Sequence, residues 1–407
     1  MKIVIAGLGV AGVNAARAVT SARPDAQVEI YGAEPHLYYA RPKLPAFLAG
    51  EIEQDALYFY PQDWYREHGI AVHTGVEIDR IDPPAHQLIL AEGTRITYDR
   101  LLLATGARPF VPPIEGAGLP GVFSLWTIED ALRIRAHARS CKRAVVIGGG
   151  LLGLEAARGL KVLGLHVTVL EFMPRLMPRQ LDAEGAAVFQ QLVEDLGIAV
   201  RVGAATECIE GASAVQSVLL KGGERLPADL VLISAGGRAN IRAAQASGLS
   251  VNRGVIVDSQ LRTSANGVYA AGDVAEFSGT VYGIIPAAIE QAQIAARNMV
   301  EIEASEYQGT VPANTLKIVG IDLTSIGQVV ANDDGLVELR RTEPGRQYMK
   351  LVLKDNRLRG AILLGHKEKV NYLTQAVTRQ VDVGTRREEL LAEDLDWKSL
   401  LQSAQGG

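Results

Sequence analysis

Three features of the 407-residue sequence predict an α/β chain: two Rossmann-like domains of three-layer ββα type and a small α+β domain at the C-terminal end. A buried strand runs into a G-x-G-x-x-G loop at residues 3–12. The same pattern returns 141 residues later. After residue 309 the periodicity changes to that of a hairpin followed by a helix.

The first element reads Ile3-Val4-Ile5-Ala6, then Gly7-Leu8-Gly9-Val10-Ala11-Gly12, then the small-residue helix start Val13-Asn14-Ala15-Ala16-Arg17. The first glycine makes the turn, the second lets backbone approach a pyrophosphate, and the third lets helix pack on strand. Phosphate then sits at the helix N-terminus, where free N–H groups and the helix dipole favour negative charge. The next strand, Val28-Glu29-Ile30-Tyr31, leads to Glu34, 22 residues past Gly12, where a ribose-binding acid is expected.

The second copy reads Val145-Val146-Ile147-Gly148-Gly149-Gly150-Leu151-Leu152-Gly153, then Leu154-Glu155-Ala156-Ala157-Arg158. Its acid is Glu171, 18 residues past Gly153 and directly after Val167-Thr168-Val169-Leu170. A bare G-x-G-x-x-G is weak, with roughly 0.4 chance matches expected at this glycine content. Gly116–Gly121 also fits, but it follows Pro112-Pro113 and is read as a loop. Two copies with strand, helix and acid in place imply two dinucleotides. FAD and a nicotinamide nucleotide are the natural pair, because one passes hydride to the other.

Between and beyond the copies, Leu101-Leu102-Leu103 ends in Ala104-Thr105-Gly106, and Val268-Tyr269-Ala270 ends in Ala271-Gly272-Asp273. Each is a strand delivering a polar turn. Pro286 at a helix N1 position opens Ala287-Ala288-Ile289-Glu290. The expected boundaries are 1–110 and 230–308 for the first domain, 111–229 for the second, and 309–407 for the third.

Composition excludes several classes. With 41 basic and 46 acidic residues the chain has no overall excess of positive charge for nucleic acid or anionic lipid. Two cysteines, Cys141 and Cys208, cannot ligate an iron–sulfur cluster or a cysteine-based zinc site, and they fit a reduced, cytoplasmic setting. No apolar run approaches the ~20 residues of a spanning helix. No signal peptide is expected before a strand that starts at Ile3.

Taken in order, Gly7/Gly9/Gly12, Glu34, Ala104-Thr105-Gly106, Gly148/Gly150/Gly153 and Ala271-Gly272-Asp273 resemble the flavoprotein reductases of the pyridine nucleotide–disulfide oxidoreductase fold. Tyr38-Tyr39-Ala40-Arg41-Pro42, Gly272–Phe277 and Thr315–Leu323 make the chain most similar to NADH:rubredoxin reductases and the flavin module of nitrite reductases. The resemblance implies that Gly7, Gly9, Val10, Ala11 and Gly12 hold the FAD pyrophosphate, with Glu34 on the adenosine ribose. It places Arg41 along the FAD, Ala104, Thr105, Gly106 and Gly272 beside it, Asp273 on the ribityl chain, and the helix at Pro286 pointing at the flavin pyrimidine ring. Gly148, Gly150, Leu151, Leu152, Gly153 and Gly236 are implied for NADH. Glu155 is implied for the nicotinamide carboxamide, against a reading as an ordinary exposed helix glutamate. Glu171 favours NADH over NADPH because a carboxylate repels a 2′-phosphate. Lys317 is implied near the flavin, where it would tune its potential, against a reading as a surface lysine.

Residues 38–48 lack the cysteine pair of the disulfide reductases, which excludes that activity. The matching lysine of the aromatic-ring-dioxygenase ferredoxin reductases is replaced by Ala46. The expected function is therefore an FAD-dependent NADH oxidoreductase passing electrons to a small, acidic one-electron iron protein such as rubredoxin or ferredoxin. The alternatives are an NADH oxidase or diaphorase, the NADH-oxidising module of a nitrite reductase, and a redox-sensing flavoprotein.

In the last domain Met349, Leu351 and Leu353 alternate with polar neighbours, Asp355-Asn356 offers a turn, and Leu358, Ile362 and Leu364 follow. Val370, Leu373 and Val377 recur at helical spacing. Residues 340–369 hold nine basic side chains against three acids, read either as a patch steering an acidic partner or as protective charges on strand edges.

Overall fold

Ile3, Val4 and Ile5 are fully buried, as a central parallel strand covered on both faces requires. A computed structural model of the chain describes residues 1–301, 304–311, 313–318, 321–329, 336–343, 347–392 and 395–403. They form two units. One comprises Met1–Lys43, Ile52–Pro109 and Gly237–Thr310, the other Leu44–Glu51, Phe110–Gly236 and Val311–Gly407.

The first unit is built on a five-stranded parallel sheet in the order Val268–Ala270, Arg100–Leu103, Lys2–Ala6, Gln27–Gly32, Ile70–Thr74. The helices Val10–Ala22 and Ile285–Val300 bury alanine-rich faces in its core. Alanine at Ala11, Ala15, Ala288, Ala292 and Ala295 supplies small contact surfaces for close packing. A second, antiparallel sheet of Ile78–Asp82, Gln87–Leu90 and Arg95–Thr97 completes the ββα plan.

The second unit repeats that plan. Its parallel sheet runs Ala199–Val202, His166–Glu171, Arg143–Ile147, Leu230–Ile233, Val122–Phe123. The alternate residues Val145, Val231 and Ile233 join a core with Ile209, Val218 and Leu220 of the accompanying antiparallel sheet. The strand Leu230–Ile233 pairs with Arg143–Ile147, so the chain leaves this sheet later than the expected boundary at 230 and enters the first unit at Gly237. The helix Leu44–Ala49, inside the segment assigned to the first domain by sequence, belongs to the second unit, where Pro45 and Leu48 lie against Gly159.

Within the second unit the C-terminal segment forms its own five-stranded antiparallel sheet, ordered Ala313–Ile318, Ile321–Gly327, Arg357–Leu364, Gln347–Lys354, Leu336–Glu343. The hairpin turns at Asp355-Asn356, both at positive φ (50° and 58°), as a two-residue turn matching strand twist demands. The helix Val370–Thr378 buries Leu373 and Val377 against Met349, Leu351 and Leu353. The opposite face of Gln347–Lys354 is also buried: Tyr348 and Lys350 are 0% and 1% exposed. Tyr348 lies against Gly185 of the helix Ala183–Asp195. Alternation therefore misplaces Lys350, whose strand is covered on both sides.

Candidate functional site

Each glycine loop sits at the C-terminal end of the central strand of its sheet, the position where open α/β folds bind ligands. In the first unit, a Cβ on Gly7 would meet the Ala104 carbonyl oxygen at 2.0 Å, and one on Gly12 the Gly7 carbonyl oxygen at 1.9 Å. Gly7 also has φ +127°. In the second unit the same tests give 2.2 Å from Gly148 to the Ser234 carbonyl and 2.1 Å from Gly153 to that of Gly148. The middle glycines differ. A Cβ on Gly9 or Gly150 would meet nothing within 4 Å. Two glycines of each loop are required by the fold, and the third faces open space.

Gly9 and Gly150 are the N-caps of their helices, with no side-chain cap hydrogen bond and no acidic residue in the first turn. The amides of Val10, Ala11 and Gly12, and of Leu151, Leu152 and Gly153, are thus left for an anion. Most helix starts recruit a Ser, Thr, Asp or Asn cap. These two do not, and both cradles fit a pyrophosphate.

The turns that back the loops also correspond. Thr105 donates its hydroxyl to the Asn240 carbonyl at 2.9 Å, and Gly106 has φ +65°. In the second unit Gly236, at φ +97°, accepts from the Phe110 amide at 2.9 Å.

The acids are held differently. Glu34 accepts from the Tyr39 hydroxyl and forms an ion pair with Arg41. Arg41 also reaches the Tyr39 hydroxyl at 3.2 Å. Glu171 takes backbone donors instead: its Oε2 accepts from the Gly149 amide at 2.8 Å and its Oε1 from the Met173 amide at 2.8 Å. Arg175, which by sequence stands close enough to offset Glu171, donates to the Leu181 and Pro178 carbonyls, both at 3.1 Å.

Asp273 follows a glycine packed against the first helix. Gly272, at φ +80°, lies so close to the first helix that a Cβ would stand 2.9 Å from that of Ala11, and its amide donates to Gln291 Oε1 at 2.8 Å. Burial pushes the Asp273 carboxyl above the usual carboxylate range, and the Arg41 charge pulls it back down. Pro286 is the second residue of Ile285–Val300, not the first, because the helix starts one residue earlier at Ile285. That helix start has no side-chain cap either.

Glu155 lies partly exposed in the helix Leu151–Val162, between the buried Leu154 and Ala156. Lys317 is in the strand Ala313–Ile318, in register with Asp322, and its side chain lies outside the described residues. Cys141 donates to the His137 carbonyl, and burial raises its thiol pKa, the opposite of an activated nucleophile. Part of the basic run 340–369 is engaged internally. Lys350 lies between Glu338 at 2.6 Å and Asp182 at 3.2 Å, Arg340 pairs with Glu338, and Arg357 faces Asp382 at 3.6 Å. Arg346 lies outside the described residues. Sequence reasoning missed Tyr39 as the partner of Glu34, and Gly149 as that of Glu171. Both contacts depend on how a loop folds back, which has no periodic signal.

Two glycine-loop cradles, each with an acid at or just past the end of the second strand, define a fold built for two dinucleotides. The chain belongs to the pyridine nucleotide-disulphide oxidoreductase family, whose model matches residues 1–298, and FAD and NADH are the cofactors of such enzymes. Residues 312–381 match the rubredoxin NAD+ reductase C-terminal domain. The chain is 35% identical over 391 residues to the assimilatory nitrate reductase electron transfer subunit of Bacillus subtilis, covering 96% of this chain and 51% of that protein. It is 36% identical to the nitrite reductase [NAD(P)H] of the same organism, covering 94% and 48%. It thus spans about half the length of these curated relatives. Among solved structures it resembles the reductase of a covalent putidaredoxin reductase–putidaredoxin complex, with a TM-score of 0.91, 28% identity and coverage of 100% and 99%. No helix among the described residues is long and apolar enough to cross a membrane.

Proposed function

We propose that the chain oxidises NADH and passes the electrons, through FAD held in the first cradle, to a small one-electron iron protein of the rubredoxin or ferredoxin kind. The observation that carries this reading is the duplicated cradle joined to a domain of rubredoxin-reductase type. The chemistry FAD supplies when bound is the conversion of a two-electron hydride donor into one-electron transfers. No nucleophile or general acid is required of the protein.

In this reading the residues bind and orient. The amides of Val10, Ala11 and Gly12 hold the FAD pyrophosphate, with Arg41 adding positive charge, and Asp273 accepts from a ligand hydroxyl beside the first helix. The amides of Leu151, Leu152 and Gly153 hold the NADH pyrophosphate. Glu171 accepts from the adenosine ribose and disfavours a 2′-phosphate, while Arg175, tied to two carbonyls, does not offset it. Glu155, five residues after Gly150, orients the nicotinamide carboxamide.

A second reading, the NADH-oxidising part of a larger nitrite reductase, is favoured by the half-length match to such proteins. Anaerobic stopped-flow separates the two. Fast flavin bleaching by NADH, then fast reoxidation by rubredoxin or a [2Fe–2S] ferredoxin, supports the proposal. Bleaching with no transfer to either carrier contradicts its acceptor half.

A further inference from the structure

Residues Leu44–Glu51 belong to the second unit, whereas Lys43 before them and Ile52 after them belong to the first. The short helix Leu44–Ala49 ends in a Schellman motif. The Glu51 amide donates to the Ala46 carbonyl and the Gly50 amide to the Phe47 carbonyl, both at 3.0 Å, with Gly50 at φ +77°. That motif fixes the backbone of Glu51, and its carboxylate takes two bonds from Arg158 in the helix Leu151–Val162. Arg158 Nη1 donates to Oε2 at 2.5 Å and Nη2 donates to Oε1. A two-pronged pair of this kind sets orientation as well as distance. The Arg158 side chain is 19% exposed, and its hydrogen bonds hold the Glu51 carboxyl below the usual carboxylate range. Beside the pair, Gly159 lets the two helices touch: a Cβ there would stand 3.0 Å from the Pro45 carbonyl oxygen.

The sequence repeat shows that this lock belongs to the second copy. At the 141-residue offset Arg158 corresponds to Arg17 and Glu155 to Asn14. Arg17 is exposed and donates along its own helix, to Asn14 Oδ1 at 3.3 Å. Glu155, Arg158 and Gly159 stand at i, i+3 and i+4, on one face of their helix. The segment Leu44–Glu51 is thus fastened to that helix one turn beyond Glu155.

We propose that Arg158, locked on Glu51, is a positioning residue for the nicotinamide: it fixes the rotation and height of the helix that presents Glu155. The inference rests on the reading of Glu155 and the second cradle as the NADH site. Pyrophosphate is held by amides of the first turn, which the pair does not touch, so affinity and hydride transfer separate. A displaced Glu155 leaves the nucleotide bound and spoils the approach of the reacting atoms, to which the rate is steeply sensitive.

The test uses the FAD-loaded protein in anaerobic stopped-flow, with NADH varied to separate the limiting rate of flavin bleaching from the half-saturating concentration. Arg158→Met should lower the limiting rate about tenfold and move half-saturation less than about twofold. Bleaching by dithionite, which needs no nicotinamide, should be unaffected. Glu51→Gln, which changes no volume, should reproduce the split and serves as the test where Arg158→Met folds poorly. Adding Arg158→Met to Glu155→Gln, itself slowed, should cost less than about twofold more, because both act through one side chain. An unchanged limiting rate in Arg158→Met and Glu51→Gln overturns the lock. Multiplying effects in the double variant, or a full rate in Glu155→Gln, also overturns it, because Arg158 would then not act through Glu155. Equal changes in rate and half-saturation overturn it as well, since they mark a damaged cradle. Failure of NADH to bleach an unaltered protein that dithionite does bleach overturns the NADH reading itself, a result distinct from the others.

Discussion

Gly7, Gly9 and Gly12 in the first unit and Gly148, Gly150 and Gly153 in the second do the same three jobs, with close approaches that agree to 0.2 Å. The acids that complete the two cradles do not agree. Glu34 is tied to side chains, Tyr39 and Arg41, on a segment that folds back over it. Glu171 is tied to backbone amides, that of Gly149 in the glycine loop and that of Met173 in its own, and beside it the chain leaves Phe172 exposed. Pyrophosphate binding needs backbone geometry and tolerates little variation. The acids are placed by contacts that the glycine pattern does not fix, so the two ends can differ. On the account proposed here the first holds FAD and the second NADH.

The largest effect should come from the glycines the fold itself requires. Gly12→Val or Gly153→Val would drive a side chain into a carbonyl oxygen standing 1.9 or 2.1 Å from its Cβ. Each should cost more than about 3 kcal/mol, seen as lost soluble yield or a collapsed melting temperature. Equal damage from both would sharpen the equivalence of the two loops, and tolerance of either would break it.

A smaller effect separates the units. Lys350, 1% exposed, holds Asp182 and Glu338, and Asp182 in turn caps the helix Ala183–Asp195 through the Gly185 amide at 3.0 Å. Lys350→Met removes the buried cation between Asp182 and Glu338, leaving only the exposed Arg340 beside them, and should destabilise by about 2 kcal/mol in denaturant unfolding. Flavin content of the folded fraction should not change, because the network lies wholly in the second unit.

Glu171→Gln should cut the preference for NADH over NADPH roughly tenfold, measured as the ratio of kcat/KM values, while the retained FAD stays constant. An unchanged ratio would mean that the acid does not face the ribose.

The smallest effect is in acid. The Asp229 carboxyl is pulled from 3.8 to about 2, chiefly by its hydrogen bond from Arg143 and also by the Lys142 and Arg143 amides. Its folded pKa is depressed, so its contribution is complete above about pH 4 and is lost as pH falls toward 2. Asp229→Asn should flatten that part of the stability profile, followed by urea midpoints between pH 4 and pH 2.

Much of this was legible in the sequence because it is local. Each glycine loop, its preceding strand and its acid fall within one short stretch, and the Asp355-Asn356 turn is written in two residues. What was not legible depends on coverage by distant segments. The period-2 pattern sends Lys350 to solvent, but the strand is central and the helix Ala183–Asp195 covers that face. The same tertiary packing moved the return to the first unit from 230 to Gly237, since Leu230–Ile233 completes the second sheet first. The family resemblance implies Arg41 along the FAD and Glu34 on its ribose. The structure adds that they pair with one another, a contact set by the fold of residues 34–41 and by no spacing rule.

The central claim is that one fold holds two different nucleotides in two equivalent cradles. Gly9→Ala and Gly150→Ala test it most directly, because a methyl at either position meets no protein atom within 4 Å and neither backbone is at positive φ. Both variants should fold. Measured by visible absorbance and anaerobic NADH titration, Gly9→Ala should lose FAD, whereas Gly150→Ala should retain it and be reduced by NADH at least tenfold more slowly. Loss of FAD from Gly150→Ala, or full retention in Gly9→Ala with NADH reduction impaired, would contradict the assignment of the two sites.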